Sequence, residues 1–262
     1  MAHATLTIRS TVLDMDTTVD FLLPENRKVT EDLRPKTYPV LYILHGKKED
    51  SSTWTRMSNI MLLTRELDLI VVMPSGNNSM YVDAKYGQHY LTYITEELPV
   101  KLKNWLPITD DPEQTFIMGE SMGGYGAMLC ALTHPEKYGR VVSLSSGNLN
   151  QFARKDANLD TAIGLYGSEE EWLASDWNLR NLVDRHEAAG TRLPQISYYC
   201  GTDDKSAYEN CLEWLAYVDE HCPSIKIKRE FWPGMHNYFF WNQALPKALA
   251  DFGFEVVQTG TV

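Results

Sequence analysis

Residues 119–123 read Gly-Glu-Ser-Met-Gly, a G-x-S-x-G run that directly follows the apolar stretch Phe116-Ile117-Met118 and directly precedes Gly124-Tyr125-Gly126-Ala127. A serine in a tight strand-to-helix turn has its hydroxyl lifted above the sheet, and glycines at 119 and 123 remove the side chains that would clash there. The helix that follows points its N-terminus at the hydroxyl and offers N–H groups to an oxyanion. This is equipment for nucleophilic attack on an acyl carbon. The plainer alternative is a glycine-rich helix start in which Ser121 only caps the backbone; the position between strand and helix favours the nucleophile.

A serine nucleophile needs a base, and the base needs an orienting carboxylate. Two downstream segments supply them: Gly201-Thr202-Asp203-Asp204, ending an apolar run, and Pro233-Gly234-Met235-His236, just past another. Ser121 and Asp204 are 83 residues apart, and Asp204 and His236 are 32 apart. All three segments fall where strands end, which is where open α/β sheets bind ligands. Either Asp203 or Asp204 could face His236. Other histidines are weaker candidates: His134 ends a helical pattern, His186 and His221 lie in charged helical stretches, and His3 and His89 have no motif around them. His45 opens the loop His45-Gly46-Lys47-Lys48 after an apolar run. That loop and the turn after Ser121 are the expected sources of an oxyanion hole, from the backbone N–H groups of Met122 and Lys47. Trp54, Tyr125, Trp232, Tyr238 and Trp241 gather around these loops and are the expected walls of an apolar substrate pocket. Each could equally be ordinary core.

The elements that would hold these loops alternate in period. Residues 5–13 and 18–23 alternate apolar and polar side chains, as an antiparallel pair does. Residues 39–44 and 69–73 are continuous apolar runs, the pattern of strands buried on both faces. With 115–118, 140–144, 195–199 and 225–232 they make about eight strands. Helical patterns at 90–105, 122–133, 207–221 and 243–252 fall between them. Strands alternating with helices imply an α/β layered fold with a mostly parallel sheet and helices on both faces. Residues 148–193 break the rhythm and predict a helical insertion, or partial lid, on a single domain spanning 1–262.

Composition excludes several other functions. The chain has 262 residues with Lys+Arg 24 against Asp+Glu 35, a net charge of −11, which repels phosphate backbones and argues against nucleic-acid binding. No apolar stretch approaches the ~20 residues needed to cross a bilayer, so no membrane insertion is expected. The N-terminal residues lack a basic region followed by an apolar one, and the four cysteines show no C-x-x-C pair, which together predict a cytoplasmic protein with free thiols. His186-Glu187-Ala188-Ala189-Gly190 misses the H-E-x-x-H zinc motif, and no P-loop or G-x-G-x-x-G follows a first strand, so neither a metal nor a cofactor is expected.

The order Ser…Asp…His is that of α/β-hydrolases. His45-Gly46…Trp54, the 119–127 run, Cys200-Gly201-Thr202-Asp203-Asp204, Pro233-Gly234-Met235-His236…Trp241 and Tyr93-Ile94-Thr95-Glu96-Glu97-Leu98-Pro99 together resemble the esterase D-type branch of that fold, most nearly the bacterial tributyrin (acetyl) esterases. The resemblance covers nearly the whole chain. It implies an α/β-hydrolase fold, a Ser121–His236–Asp204 triad (the family's acid is the last residue of G-T-x-D), hydrolysis of short-chain carboxylic esters through an acyl-enzyme, and homodimers or homotetramers. Two departures stand out. The family's oxyanion loop is richer in glycine and small residues, whereas here it reads Lys47-Lys48-Glu49-Asp50. Relatives acting on glutathione thioesters carry a cysteine in the segment after that loop, and this chain has none before Cys130. Feruloyl, cinnamoyl or acetylxylan-type carbohydrate esterases, an S-formylglutathione hydrolase-like thioesterase, and a non-catalytic binding module are the rival readings.

Overall fold

The computed structural model describes residues 1–25, 35–152 and 158–256. Eight strands form one sheet: β1 (Ala2–Ser10), β2 (Met15–Leu23), β3 (Val40–Leu44), β4 (Ile70–Pro74), β5 (Thr115–Glu120), β6 (Arg140–Leu144), β7 (Gln195–Gly201) and β8 (Ile227–Trp232), in the spatial order β1-β2-β4-β3-β5-β6-β7-β8. β1 and β2 pair antiparallel, β2 joins β4 antiparallel, and every pairing from β4 to β8 is parallel. Helices run between them: α1 (Thr53–Met57), α2 (Ile60–Thr64), α3 (Tyr90–Thr92), a π turn (Tyr93–Glu97), α4 (Leu98–Trp105), α5 (Met122–Thr133), α6 (Leu159–Tyr166), α7 (Glu169–Ala174), α8 (Leu179–Ala189), α9 (Tyr208–His221) and α10 (Tyr238–Asp251).

The central strands are apolar on both faces because both faces are covered. Val40, Tyr42 and Leu44 of β3 join a core with Leu98, Leu102, Met128, Leu182 and Trp214, so α4, α5, α8 and α9 lie on that side. Leu41 and Ile43 join Trp54, Ile60, Phe240, Leu245 and Leu249, placing α1, α2 and α10 on the other. The two-residue period of a strand produces this division directly. Of the span 148–193, residues 153–157 lie outside the described residues, and α8 packs against α5 and α9 as a crossover helix between β6 and β7.

Element boundaries differ from the sequence pattern in three instructive places. β1 ends at Ser10, before a turn in which Asp14 takes φ 52°, so alternation alone placed it three residues late. The helix expected over 90–105 is interrupted by the π turn. Pro99 near the start of α4 has no N–H to give the Thr95 carbonyl, which instead accepts from Lys137 Nζ at 3.0 Å. Finally, α10 starts at Tyr238 rather than 243. Asn237 Oδ1 caps it by accepting from the N–H groups of Phe239 and Phe240. That early start sets Tyr238 and Trp241 immediately behind His236.

Strand order reverses direction at β3, which has β4 on one side and β5 on the other. In open α/β sheets this reversal opens a crevice beyond the carboxyl ends of the strands. The loops after β3, β5, β7 and β8 all emerge there.

Candidate active site

Ser121 sits at the end of β5 with φ 53° and ψ −118°, a conformation costing a non-glycine residue about 1–3 kcal/mol. Backbone crowding enforces the turn. A Cβ on Gly119 would lie 2.3 Å from the Gly123 carbonyl oxygen, and one on Gly123 would lie 2.2 Å from the Leu44 carbonyl oxygen. No side-chain cap is made by Ser121 to α5. Its Oγ faces His236 Nε2 at 2.9 Å instead. His236 Nδ1 donates to Asp204 Oδ2 at 2.6 Å, which leaves Nε2 free to accept the serine proton.

The choice between the two aspartates is made by burial and backbone. Asp204 is 1% exposed, and its other carboxylate oxygen accepts from the N–H groups of Ser206 (2.9 Å) and Ala207 (3.0 Å). Asp203 is exposed, and its N–H is used by the Gly234 carbonyl at 3.0 Å. This last bond also ties the loop bearing the acid to the loop bearing His236.

Beside Ser121 lies a cavity of about 790 Å³ whose walls include Lys47, Glu49, Leu149, Tyr238, Phe239 and Trp241. Among the described residues, the backbone N–H groups of Met122 and Lys47 have no hydrogen-bond acceptor. The Lys47 peptide is aimed by its neighbour. His45 Nδ1–H donates to the Gly46 carbonyl at 2.7 Å, and a planar trans peptide then turns the Lys47 N–H to the opposite side. His45 Nε2 accepts from the Gly76 N–H at 2.8 Å, so both ring nitrogens are used by a neutral imidazole. Burial pushes the His45 pKa below its ordinary value, against the Gly46 hydrogen bond and the charges of Glu49 and Asp50.

The five aromatic residues expected around the pocket separate into two sets. Tyr238 and Trp241 line the cavity, stacked edge-to-face with centroids 4.8 Å apart, and Trp241 Nε1 donates to Ser145 Oγ at 3.1 Å. The other three do not line it. Trp54 is wholly buried beneath the loop after β3 and donates to the Leu44 carbonyl at 3.2 Å. Tyr125 points into the core on the inner side of α5, and its hydroxyl donates to the Trp177 carbonyl at 2.5 Å. Trp232 sits at the end of β8 and donates to Gln243 Oε1 at 3.1 Å, in a separate shallow cleft. Proximity in sequence placed all three near the site, but the two-sided alternation of strands and helices turned them away.

Phe239, which is 85% exposed, also lines the cavity, and sequence reasoning missed several other wall residues, among them Met57, Ser145 and Glu120. A signal existed for the last. Glu120 is a charged residue at the end of an otherwise apolar strand, and it is 1% exposed. No group of three or more His, Cys, Asp or Glu side chains among the described residues could hold a metal ion.

The fold and this site define an α/β-hydrolase of the serine hydrolase class, an enzyme acting on carboxylic esters. The chain belongs to the Esterase family, described as "Putative esterase", whose model matches residues 10–252. It is 27% identical over 260 residues to an acetyl esterase of Caldicellulosiruptor saccharolyticus, spanning 95% of this chain and 97% of that one. Among solved structures it is similar to FphF, a fluorophosphonate-binding serine hydrolase of Staphylococcus aureus, with TM-score 0.87 and 26% identity over 97% of this chain and 99% of that one. It is also similar to an S-formylglutathione hydrolase (FrmB) of the same organism, with TM-score 0.83 and 26% identity over 96% and 98% of the two chains.

Proposed function

We propose that the protein hydrolyses short-chain acyl esters through an acyl-enzyme on Ser121. The observation that carries this reading is the continuous chain from Ser121 Oγ to His236 Nε2 (2.9 Å) and from His236 Nδ1 to Asp204 Oδ2 (2.6 Å), opening on the cavity. His236 takes the Ser121 proton as Oγ bonds to the ester carbon, and Asp204 holds the imidazole in the required tautomer and stabilises the imidazolium. The N–H groups of Met122 and Lys47 receive the oxyanion, each worth about 3 kcal/mol in the transition state. His236 then protonates the departing alkoxide as the C–O bond breaks, and a water molecule repeats the sequence to release the acid.

The cavity's size and lining support a small acyl group beside a bulkier alcohol: 790 Å³ greatly exceeds an acetyl group, and Tyr238, Phe239, Trp241 and Met57 give it apolar walls. Leu149 and Asn158 also line it, which supports the 148–193 segment as one wall or partial lid of a single domain. The four cysteines are unpaired and buried, consistent with a reducing, cytoplasmic setting, and no described helix is long and apolar enough to cross a membrane. Dimers or tetramers, carried over from the family resemblance, are read by light scattering.

The test is the initial rate on p-nitrophenyl acetate, butyrate and octanoate for the wild type and Ser121→Ala. The wild type turns over the short esters fastest, and the variant loses on the order of 10⁵-fold. Equal, slow rates in both folded proteins would sink the reading. S-formylglutathione and methyl ferulate belong in the same series, because a much higher kcat/KM on either one moves the substrate class to thioesters or aryl esters.

A further inference from the structure

Glu120 occupies the x position before the nucleophile, and its carboxyl group lies directly against the loop after β3. A Cβ on Gly46 would be 2.3 Å from Glu120 Oε1 and 2.7 Å from Oε2. Glu49, from the same loop, folds back onto this spot: its Oε2 accepts from the Gly46 N–H at 3.1 Å and from the Tyr238 hydroxyl at 3.0 Å. Two carboxyl groups therefore meet on one glycine beside Ser121. Glu120 Oε1 receives no hydrogen bond, and among the described residues no lysine or arginine pairs with either acid.

The groups facing Glu120 are Glu49 and Gly46 from the loop after β3, Tyr81 from the segment between β4 and α3, and Tyr238 from α10. None is a cation. The Tyr81 hydroxyl donates to the His45 carbonyl at 3.0 Å, and neutral His45 faces Glu49. Two adjacent carboxylates without a cation in a water-poor site repel each other and leave an oxygen unsolvated, a costly arrangement. One proton removes both problems, since a Glu120 O–H can donate to Glu49. Burial, reinforced by the charge of Glu49, pushes Glu120 well above the usual carboxylate range, against the Gly46 N–H.

We infer that Glu120 and Glu49 share one proton, and that this acid–carboxylate pair is the clamp holding Gly46, and with it the Lys47 N–H, in place over Ser121. The two glutamates are positioning residues: they touch the loop and leave the bonds of the reaction to other groups. The inference deepens the esterase reading and rests on it for its kinetic consequence, although the shared proton itself does not. With the proton present, Glu49 stays drawn in by Gly46, Tyr238 and Glu120. When alkaline pH removes it, the two charges push apart and the loop loses its fixed position.

Two measurements test this. The first needs no turnover: infrared difference spectroscopy at neutral pH shows a protonated-carboxyl C=O band in the wild type that disappears in Glu120→Gln and also in Glu49→Gln. A wild type without that band, or with one that survives both substitutions, overturns the shared proton. Because this readout is independent of activity, a protein inactive on every ester but showing the band would defeat the esterase reading and leave the pair standing. The second is the pH profile of kcat on p-nitrophenyl acetate, corrected for spontaneous hydrolysis. The wild type falls reversibly at alkaline pH. Glu120→Ala loses on the order of tenfold or more at neutral pH, and Glu120→Gln, whose amide N–H replaces the acid proton, recovers most of that rate with the alkaline fall removed. An alkaline limb identical in the wild type and Glu120→Gln overturns the clamp.

Discussion

Asp204 and Glu120 are both 1% exposed and both lie at the carboxyl end of the sheet; Glu120 lines the cavity, and Asp204 is bonded to His236, which lines it too. Their surroundings are opposite. Asp204 accepts three hydrogen bonds, from Ser206 N–H, Ala207 N–H and His236 Nδ1–H, because the turn after β7 aims its backbone donors inward. Glu120 has an oxygen with no donor and a second carboxyl group for a neighbour. Burial alone does not determine what a carboxyl group does; the number of donors delivered by the local backbone does. One environment surrounds its carboxylate with donors and suits the partner proposed for the His236 imidazole. The other favours a retained proton.

The largest effect tests the first half of that contrast. Asp204→Asn keeps the shape but leaves His236 without its tautomer-fixing acceptor, and kcat falls about 10⁴-fold by analogy with other triads. Asp203→Asn, on the exposed neighbour, leaves kcat nearly unchanged. Equal losses in the two variants would break the comparison.

Gly46→Ala addresses the second half. A methyl group 2.3 Å from Glu120 Oε1 has to displace either the carboxyl or the loop, and the Lys47 N–H moves with the loop. The expected loss in kcat is on the order of 10²-fold with little change in KM, the pattern for a lost transition-state donor. A proportionate rise in KM instead would mean that the loop binds substrate rather than the oxyanion.

Stability against pH sharpens the picture further, because His45 is buried and its pKa is lowered, with burial the principal cause. The folded protein holds this imidazole neutral while the unfolded chain protonates it near pH 6.5. The stability it contributes is therefore complete above that value and is lost as pH falls from there toward the depressed folded-state pKa. Thermal unfolding temperature should decline over that acidic window, and less so in a folded His45→Asn variant. Glu120 has the opposite sense. Its folded-state pKa is raised, so its contribution is complete below the ordinary carboxylate range and is lost as pH rises toward the folded-state value. The smallest effect concerns an aromatic residue that turned away from the cavity: Tyr125→Phe removes the hydrogen bond to the Trp177 carbonyl, lowering stability by about 1 kcal/mol, while KM on short esters stays the same.

Much of this was legible from residue order. Continuous apolar runs identified β3 and β4, because a strand covered on both faces has no polar side to show. The strand-to-helix position of Ser121 was equally plain, since a Cβ on either Gly119 or Gly123 would lie 2.2–2.3 Å from a backbone oxygen. What could not be read was direction. Trp54, Tyr125 and Trp232 sit within a few residues of the site loops, yet each faces elsewhere, which depends on where an element begins to the nearest residue. The same dependence concealed the early start of α10, which places Tyr238 where it can bond Glu49. The encounter of Glu49 with Glu120 was also hidden, because it joins positions 71 residues apart through a glycine that has no side chain to report it.

The main-chain contacts among Leu44, Gly119 and Gly123 have a consequence for how this molecule can change. They fasten the loop after β3 to the nucleophile turn without using any side chain of the cavity wall. The distance between Ser121 Oγ and the N–H groups proposed as its oxyanion donors is thus set by a rigid frame, while Met57, Leu149 and Phe239 hang from it as exchangeable fittings. Such a layout lets substrate preference drift, or be redesigned, one wall residue at a time without disturbing the chemistry, and places the glycines among the least negotiable positions in the chain.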